Sequence, residues 1–177
     1  MSKSLDFYFD FISPYSFIAY KEIQKFEKKY SFKIKYRPIL LGGLHNLHGI
    51  KAPAFIPSKA RFMIRDCKIV SEKKNIKFKF NSYFPIKTLN LMRGVLIAEE
   101  DDIKNHYVDS IFNSIWRDGF NMNDQIVVEK VLKNININPK TFFLRLSTQT
   151  AKDNLKKKTN EAFEKGIFGA PTFLVNN

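Results

Sequence analysis

The sequence predicts an α/β fold: a strand, a helix and a second strand, then a long run of helices, then a third strand. Three observations carry that prediction. An aromatic run, Leu5-Asp-Phe-Tyr-Phe-Asp-Phe11, puts Phe7, Phe9 and Phe11 on one face with the period of two that marks a buried strand. A second segment, 32–41, alternates in the same way. From about Ser58, for roughly a hundred residues, the apolar positions recur with helical spacing instead.

The first strand is expected over Leu5–Phe11. Ser13 and Pro14 end it, because serine is a favoured N-cap and proline at the first helical position gives up no hydrogen bond. The following helix is expected over Pro14–Tyr30, with Phe17, Ile18, Tyr20, Ile23 and Phe26 as its apolar face. A crossover helix between two strands implies that they pair in parallel. Gly42-Gly43 and the stretch from Ala52-Pro53 to Pro57 read as a loop. Helices are expected near 58–75, 87–99, 104–118, 124–134, 139–147 and 150–165, with breaks at Pro85, Asp101-Asp102, Gly119 and Pro139. Asn123 or Asp124 caps the fourth of these, and Gly166 closes the last as a left-handed cap. Gly169-Ala-Pro-Thr-Phe-Leu-Val175 then runs from a loop into the third strand. The expected organisation is one α/β core formed by residues 1–56 and 150–177, with 57–149 as a helical insertion over it.

Composition narrows the function classes. At 44% hydrophobic residues the chain of 177 is not disordered, and no apolar run reaches the roughly 18 residues of a membrane helix. The opening MSKSLDFYF lacks a secretion pattern, so a cytoplasmic location is expected. A single cysteine, Cys67, excludes an intramolecular disulfide and a Cys-x-x-Cys pair; set in a helical pattern, it reads as a small buried thiol. His45, His48 and His106 form no ligand set, and no metal is expected. The net charge of +13 is concentrated in residues 21–93, which hold 18 Lys/Arg against 4 Asp/Glu. Such a field suits small carboxylates. It is equally what a drift towards Lys, Asn, Ile and Phe would leave on a surface. The lysines are scattered without aromatic stacking partners, so no nucleic acid is expected.

The chemistry gathers on two distant segments, Phe11-Ile-Ser-Pro-Tyr15 and Gly169-Ala-Pro-Thr-Phe173. Ser13 stands where the free N–H groups and positive dipole of a helix face the crevice at a strand's carboxyl end, a place that stabilises a thiolate or carboxylate. The Ala170-Pro171 bond, between a glycine turn and a strand start, is a candidate cis peptide. A cis bond would offer the Ala170 backbone to an extended peptide-like ligand.

Those residues are joined in order along the chain by Tyr36-Arg-Pro-Ile-Leu-Leu-Gly42, Pro57-Ser-Lys-Ala-Arg-Phe-Met-Ile-Arg-Asp66, Phe84-Pro85, Leu91-Met-Arg93, Phe112 and Trp116. The ordered set resembles the 2-hydroxychromene-2-carboxylate isomerase family, thioredoxin-like proteins related to the kappa-class glutathione transferases. The resemblance implies a disulfide-oxidoreductase-type thioredoxin fold with a helical insertion, in which Ser13 replaces the redox cysteine. It implies glutathione as the catalytic thiol and a small aromatic carboxylate, or another electrophile, as substrate. Ser13 would hold the glutathione sulfur as thiolate, which adds reversibly to a conjugated double bond so that rotation and elimination isomerise the substrate. Pro14 and Tyr15 complete the Ser-Pro-Tyr glutathione motif, Lys59 meets a glutathione carboxylate, and Ala170, before Pro171, bonds the cysteinyl backbone. A kappa-class-like transferase or oxidoreductase and a non-catalytic remnant of the scaffold stay open as alternatives, and dimers among the relatives make a homodimer an expectation. Arg61 and Arg65, one turn apart, face either an anionic substrate or solvent. Trp116 is expected to pack between helices.

The resemblance departs at three points. Ile50 stands where relatives offer an asparagine to glutathione, and Lys87 stands where asparagine often precedes the threonine. Relatives also continue past the third strand with a further strand, a Gly-x-Asp-Arg-like segment and a closing helix. A chain ending at Asn177 is therefore expected to be C-terminally truncated, without the last strand and helix of the core.

Overall fold

The computed structural model describes residues 4–30 and 33–175; Phe32, counted into the second expected strand, and Asn177 lie outside the described residues. Three strands form the sheet among those residues, in the order β2-β1-β3. β1 (Ser4–Phe9) is central, parallel to β2 (Lys33–Pro38) with Phe7 opposite Tyr36, and antiparallel to β3 (Thr172–Val175) with Phe7 opposite Phe173. Helix α1 (Pro14–Tyr30) makes the crossover, over the residues its caps and periodicity predict.

The aromatic run does more than the period-two pattern suggests. Phe7, Phe9 and Phe11 are all fully buried on one face, and Tyr8 is buried on the other. A central strand covered on both sides loses the alternation that marks a half-exposed one. On the first face the rings of Phe9, Phe11 and Tyr20 gather round Phe112, with Phe11 4.8 Å and Tyr20 5.1 Å from it. On the second, Tyr8 joins Ile39, Leu44, Ala162, Ile167 and Leu174.

Helix α2 (Leu41–Leu47) corrects the loop expected at Gly42-Gly43. Two glycines cost about 1 kcal/mol each relative to alanine in a helix. That cost is outweighed by two tertiary contacts. The Leu41 N–H donates to the Asp10 carboxylate at 2.8 Å, a charge-assisted bond of about 1.5–3 kcal/mol, and Leu44 is fully buried, which contributes about as much again. The same carboxylate shortens the first strand, which ends at Phe9 instead of Phe11. Its Oδ1 accepts the Ile12 N–H, and its own carbonyl accepts the Ser13 N–H at 3.1 Å, so the chain turns there.

A single 3-10 turn (Pro53–Phe55) leads into α3 (Pro57–Lys73), followed by α4 (Leu89–Glu100), α5 (Lys104–Trp116), α6 (Gln125–Asn134), α7 (Pro139–Ser147) and α8 (Gln149–Glu164). Asp124 caps α6 through Ile126 N–H, as one of the two expected caps, and Asn138 caps α7 just before the expected break at Pro139. Gly166 adopts φ +75° after α8. Trp116 is fully buried, and its indole N–H donates to the Phe11 carbonyl at 2.8 Å, so it packs the helices onto the sheet.

Helix α4 lies close against its neighbours at Gly94. A Cβ there would stand 2.7 Å from Tyr107 Cζ and 2.9 Å from Phe142 Cζ. Helix propensity alone favours alanine by about 1 kcal/mol, but overpacking of this kind costs about 1–3 kcal/mol. Gly94→Ala is therefore expected to lower stability in chemical denaturation, by up to about 2 kcal/mol. A stabilised variant would show that α4 does not pack this tightly.

Candidate functional site

Ser13 caps α1 as its position predicts: its Oγ accepts the Ser16 N–H at 3.1 Å. The same hydroxyl donates to the Ala170 carbonyl at 3.0 Å, joining two segments 157 residues apart. The Ala170-Pro171 peptide is cis, as is Phe84-Pro85. Ser13 is only 5% exposed, so its one proton and one of its lone pairs are already committed.

A cavity of about 640 Å³ opens beside this pair. Ser13, Pro14 and Tyr15 supply one wall, Lys59 and Met63 of α3 another, and Phe168, Gly169 and Ala170 a third. Pro171 follows Ala170 but is not part of the lining. Ile50 contributes an apolar side chain, where the resemblance drawn from the sequence implies an amide. Arg61 and Arg65 are exposed and outside the lining, which favours the solvated reading of that pair. The rim is aromatic: Phe55, Phe62 and Phe168 line the cavity and are 60%, 67% and 68% exposed. A polar corner under an apolar mouth can hold a compact polar group while a flat apolar body rests on the rim.

Titratable groups in this lining are few. Lys59 is the only fixed cation, and the ion pairs of the described residues all involve other cations. Tyr15 donates its hydroxyl to Asp66 at 2.9 Å, and burial, aided by that carboxylate, pushes the phenol up, so it stays protonated. His45 on α2, also in the lining, is held below the usual imidazole range by burial and then by His48. Its place on a helix corrects the loop expected for it. Cys67 is fully buried, and burial followed by the neighbouring Asp66 raises its thiol to about 12. The described residues hold no cluster of three or more metal-ligating side chains.

One residue beneath the site went unrecognised in the sequence. Asp10, 1% exposed, accepts from Ile12 N–H at 3.0 Å, Leu41 N–H at 2.8 Å and the Thr88 hydroxyl at 2.6 Å. Burial pushes its carboxyl up while those three donors pull it back, and two N–H groups with a hydroxyl fit the ionised form. Its signal was available: an acid inside an unbroken aromatic run, three residues before a helix cap.

Two variants test this arrangement. Asp10→Asn would place an amide N–H against one of the three donors, and the loss expected in denaturant titration is about 1–3 kcal/mol; unchanged stability would remove Asp10 from its structural role. Cys67 should resist alkylation at neutral pH in the native protein and react on unfolding, because only the thiolate reacts. Rapid native labelling, followed by mass spectrometry, would contradict its burial.

Comparison with known proteins agrees with this fold. The model of the DSBA-like thioredoxin domain matches residues 4–177. The 2-hydroxychromene-2-carboxylate isomerase of Sphingobium xenophagum is 25% identical, over all of this chain and 91% of the relative. Glutathione S-transferase kappa 1 of Caenorhabditis elegans is 29% identical, over 97% of this chain and 80% of the relative. A solved 2-hydroxychromene-2-carboxylate isomerase superposes with a TM-score of 0.89 at 23% identity, covering 98% of this chain and 85% of that one. The chain belongs to the DSBA-like thioredoxin domain family.

Proposed function

We propose that this protein is a glutathione-dependent isomerase of the 2-hydroxychromene-2-carboxylate isomerase type, with Ser13 stabilising the glutathione thiolate. The observation that carries the reading is the Ser13 hydroxyl, bonded to Ala170 at a helix N-terminus beside an aromatic-rimmed cavity. The relatives named above, isomerases and kappa transferases alike, support it.

The hydroxyl's hydrogen bonds suggest how the ligand engages. Ser13 has one proton, and the Ala170 carbonyl holds it at 3.0 Å. A thiolate needs that proton. A cysteinyl residue brings both a sulfur and, three bonds away on its own backbone, an N–H. The ligand's N–H takes over the Ala170 carbonyl, and the freed Ser13 O–H turns to the sulfur. No buried polar group is left unpaired, which avoids a penalty of about 1–3 kcal/mol. The helix dipole then adds its own stabilisation of the anion. Pro14 and Tyr15 hold the turn that presents Ser13, Lys59 pairs with a ligand carboxylate, and Pro171 fixes the Ala170 peptide.

In the reaction so read, the thiolate adds to a conjugated double bond of an aromatic substrate resting on Phe55, Phe62 and Phe168. The bond, now single, rotates, and elimination returns the thiolate. The kappa relative at 29% identity favours a second reading, in which the thiolate attacks an electrophile and stays attached.

Titration with glutathione should raise the ultraviolet thiolate band in the intact protein, and Ser13→Ala should abolish the rise. Absence of the band in the intact protein would overturn the glutathione reading. With a conjugated aromatic enone, a constant free-thiol count during turnover marks the isomerase, whereas stoichiometric loss of thiol marks the transferase.

A further inference from the structure

The glutathione reading leaves one proton without a destination. Glutathione is delivered largely as a thiol, and Ser13 can donate to the sulfur but cannot also remove its proton, since a neutral hydroxyl is no base near neutrality and one of its two lone pairs already holds the Ser16 N–H. Either solvent or a group of the protein takes it, and the cavity lining offers few.

The lining contains no carboxylate, and its titratable side chains are Tyr15, His45 and Lys59. Tyr15 is a phenol already donating to Asp66, with no capacity to act as a base near neutrality. Lys59 is an exposed ammonium. His45 remains. It sits one turn after Leu41 on α2, whose start is tied to Asp10 only three residues from Ser13. Leu41, Gly42 and His45 all line the cavity, as spacings of three and four residues on one helical face require. Gly42 leaves open space where a side chain would stand, so nothing on that residue screens the ring.

From this geometry we infer that His45 is the base that takes up the proton of the ligand thiol. The S–H bond breaks, its electron pair stays on sulfur facing the Ser13 hydroxyl, and the proton forms an N–H bond on the imidazole. In the transferase version the imidazolium returns that proton to the adduct carbon or the leaving group; in the isomerase version it holds it until the thiol departs. The ring suits the task. Burial keeps it neutral in the ligand-free protein, and no hydrogen bond from the described residues contributes to its state. Among the described residues, the titratable groups nearest to it in the fold are His48 on the same helix, whose Nε2 is 2.8 Å from the Ile167 carbonyl, Tyr15 and Lys59 in the same cavity lining, and Asp10, which accepts from the first residue of that helix. An imidazolium formed beside a thiolate is further favoured by the pair's own attraction.

This assignment rests on the glutathione reading, and calorimetry of glutathione binding in buffers of different ionisation enthalpy separates the two. Alongside it, the thiolate band is read in the wild type, His45→Gln and Lys59→Gln. The expected result is a wild type that forms the thiolate while releasing almost no proton to buffer. In His45→Gln, glutathione should still bind within a few-fold, but each thiolate formed should release one proton; Lys59→Gln should bind more weakly with the wild-type proton count. A wild type that releases one proton per thiolate, unchanged in His45→Gln, would overturn the role of His45 and leave the glutathione reading standing. No binding heat and no thiolate band in the wild type would overturn both. Carbon shifts of the His45 ring on glutathione binding give a second measure: a ring that stays neutral while the thiolate band is present also refutes the assignment.

Discussion

A single buried carboxylate organises the working end of this molecule. Asp10 terminates the central strand, and its two oxygens hold the turn before Ser13, the start of α2 and the threonine that precedes α4. The turn and α2 both contribute residues to the cavity lining. Replace the acid with any residue that cannot accept three bonds and at least one buried donor is orphaned. The rest of the site then loses its common reference point, because Ser13 and His45 are placed relative to each other through this one side chain.

The arrangement also concerns where charge does not go. Asp10 and Asp66 both lie close to the cavity, yet neither is in its lining. A carboxylate facing a thiolate at a few ångströms would raise the thiol's pKa by like-charge repulsion. Here Asp10 is spent on backbone amides and a hydroxyl, and Asp66 on the Tyr15 phenol. The field inside the cavity is left to a helix terminus and one lysine. Of the positive charge of residues 21–93, only Lys59 lies in the cavity lining.

Much of this was legible in the chain. Ser13-Pro14 marked the start of α1, Pro139 the start of α7 and Gly166 the end of α8, because those signals act within a few residues and need no tertiary partner. The pairing of Ser13 with Ala170 was legible only through the ordered resemblance, since neither segment identifies the other by itself. What stayed hidden depended on contacts between distant elements. Two glycines announce a loop, and only the Asp10 carboxylate and the burial of Leu44 make them a helix. His45 inherited that error: a loop gives it no face and no site, whereas on α2 it shares a face with Leu41 and Gly42. The burial of Tyr8 could not be read from its alternation with Phe7 and Phe9, because α2 and α8 cover the second face of the sheet.

One consequence follows from the element at the head of α1. Oxygen in a serine hydroxyl has no accessible redox ladder, and the chain's one sulfur of this class, Cys67, is sealed in the core. Peroxide therefore finds no thiol of the protein's own at the cavity to convert into a sulfenic acid or a mixed disulfide. The cavity therefore carries no protein thiol for disulfide exchange, and the oxidisable sulfur of its lining is the thioether of Met63.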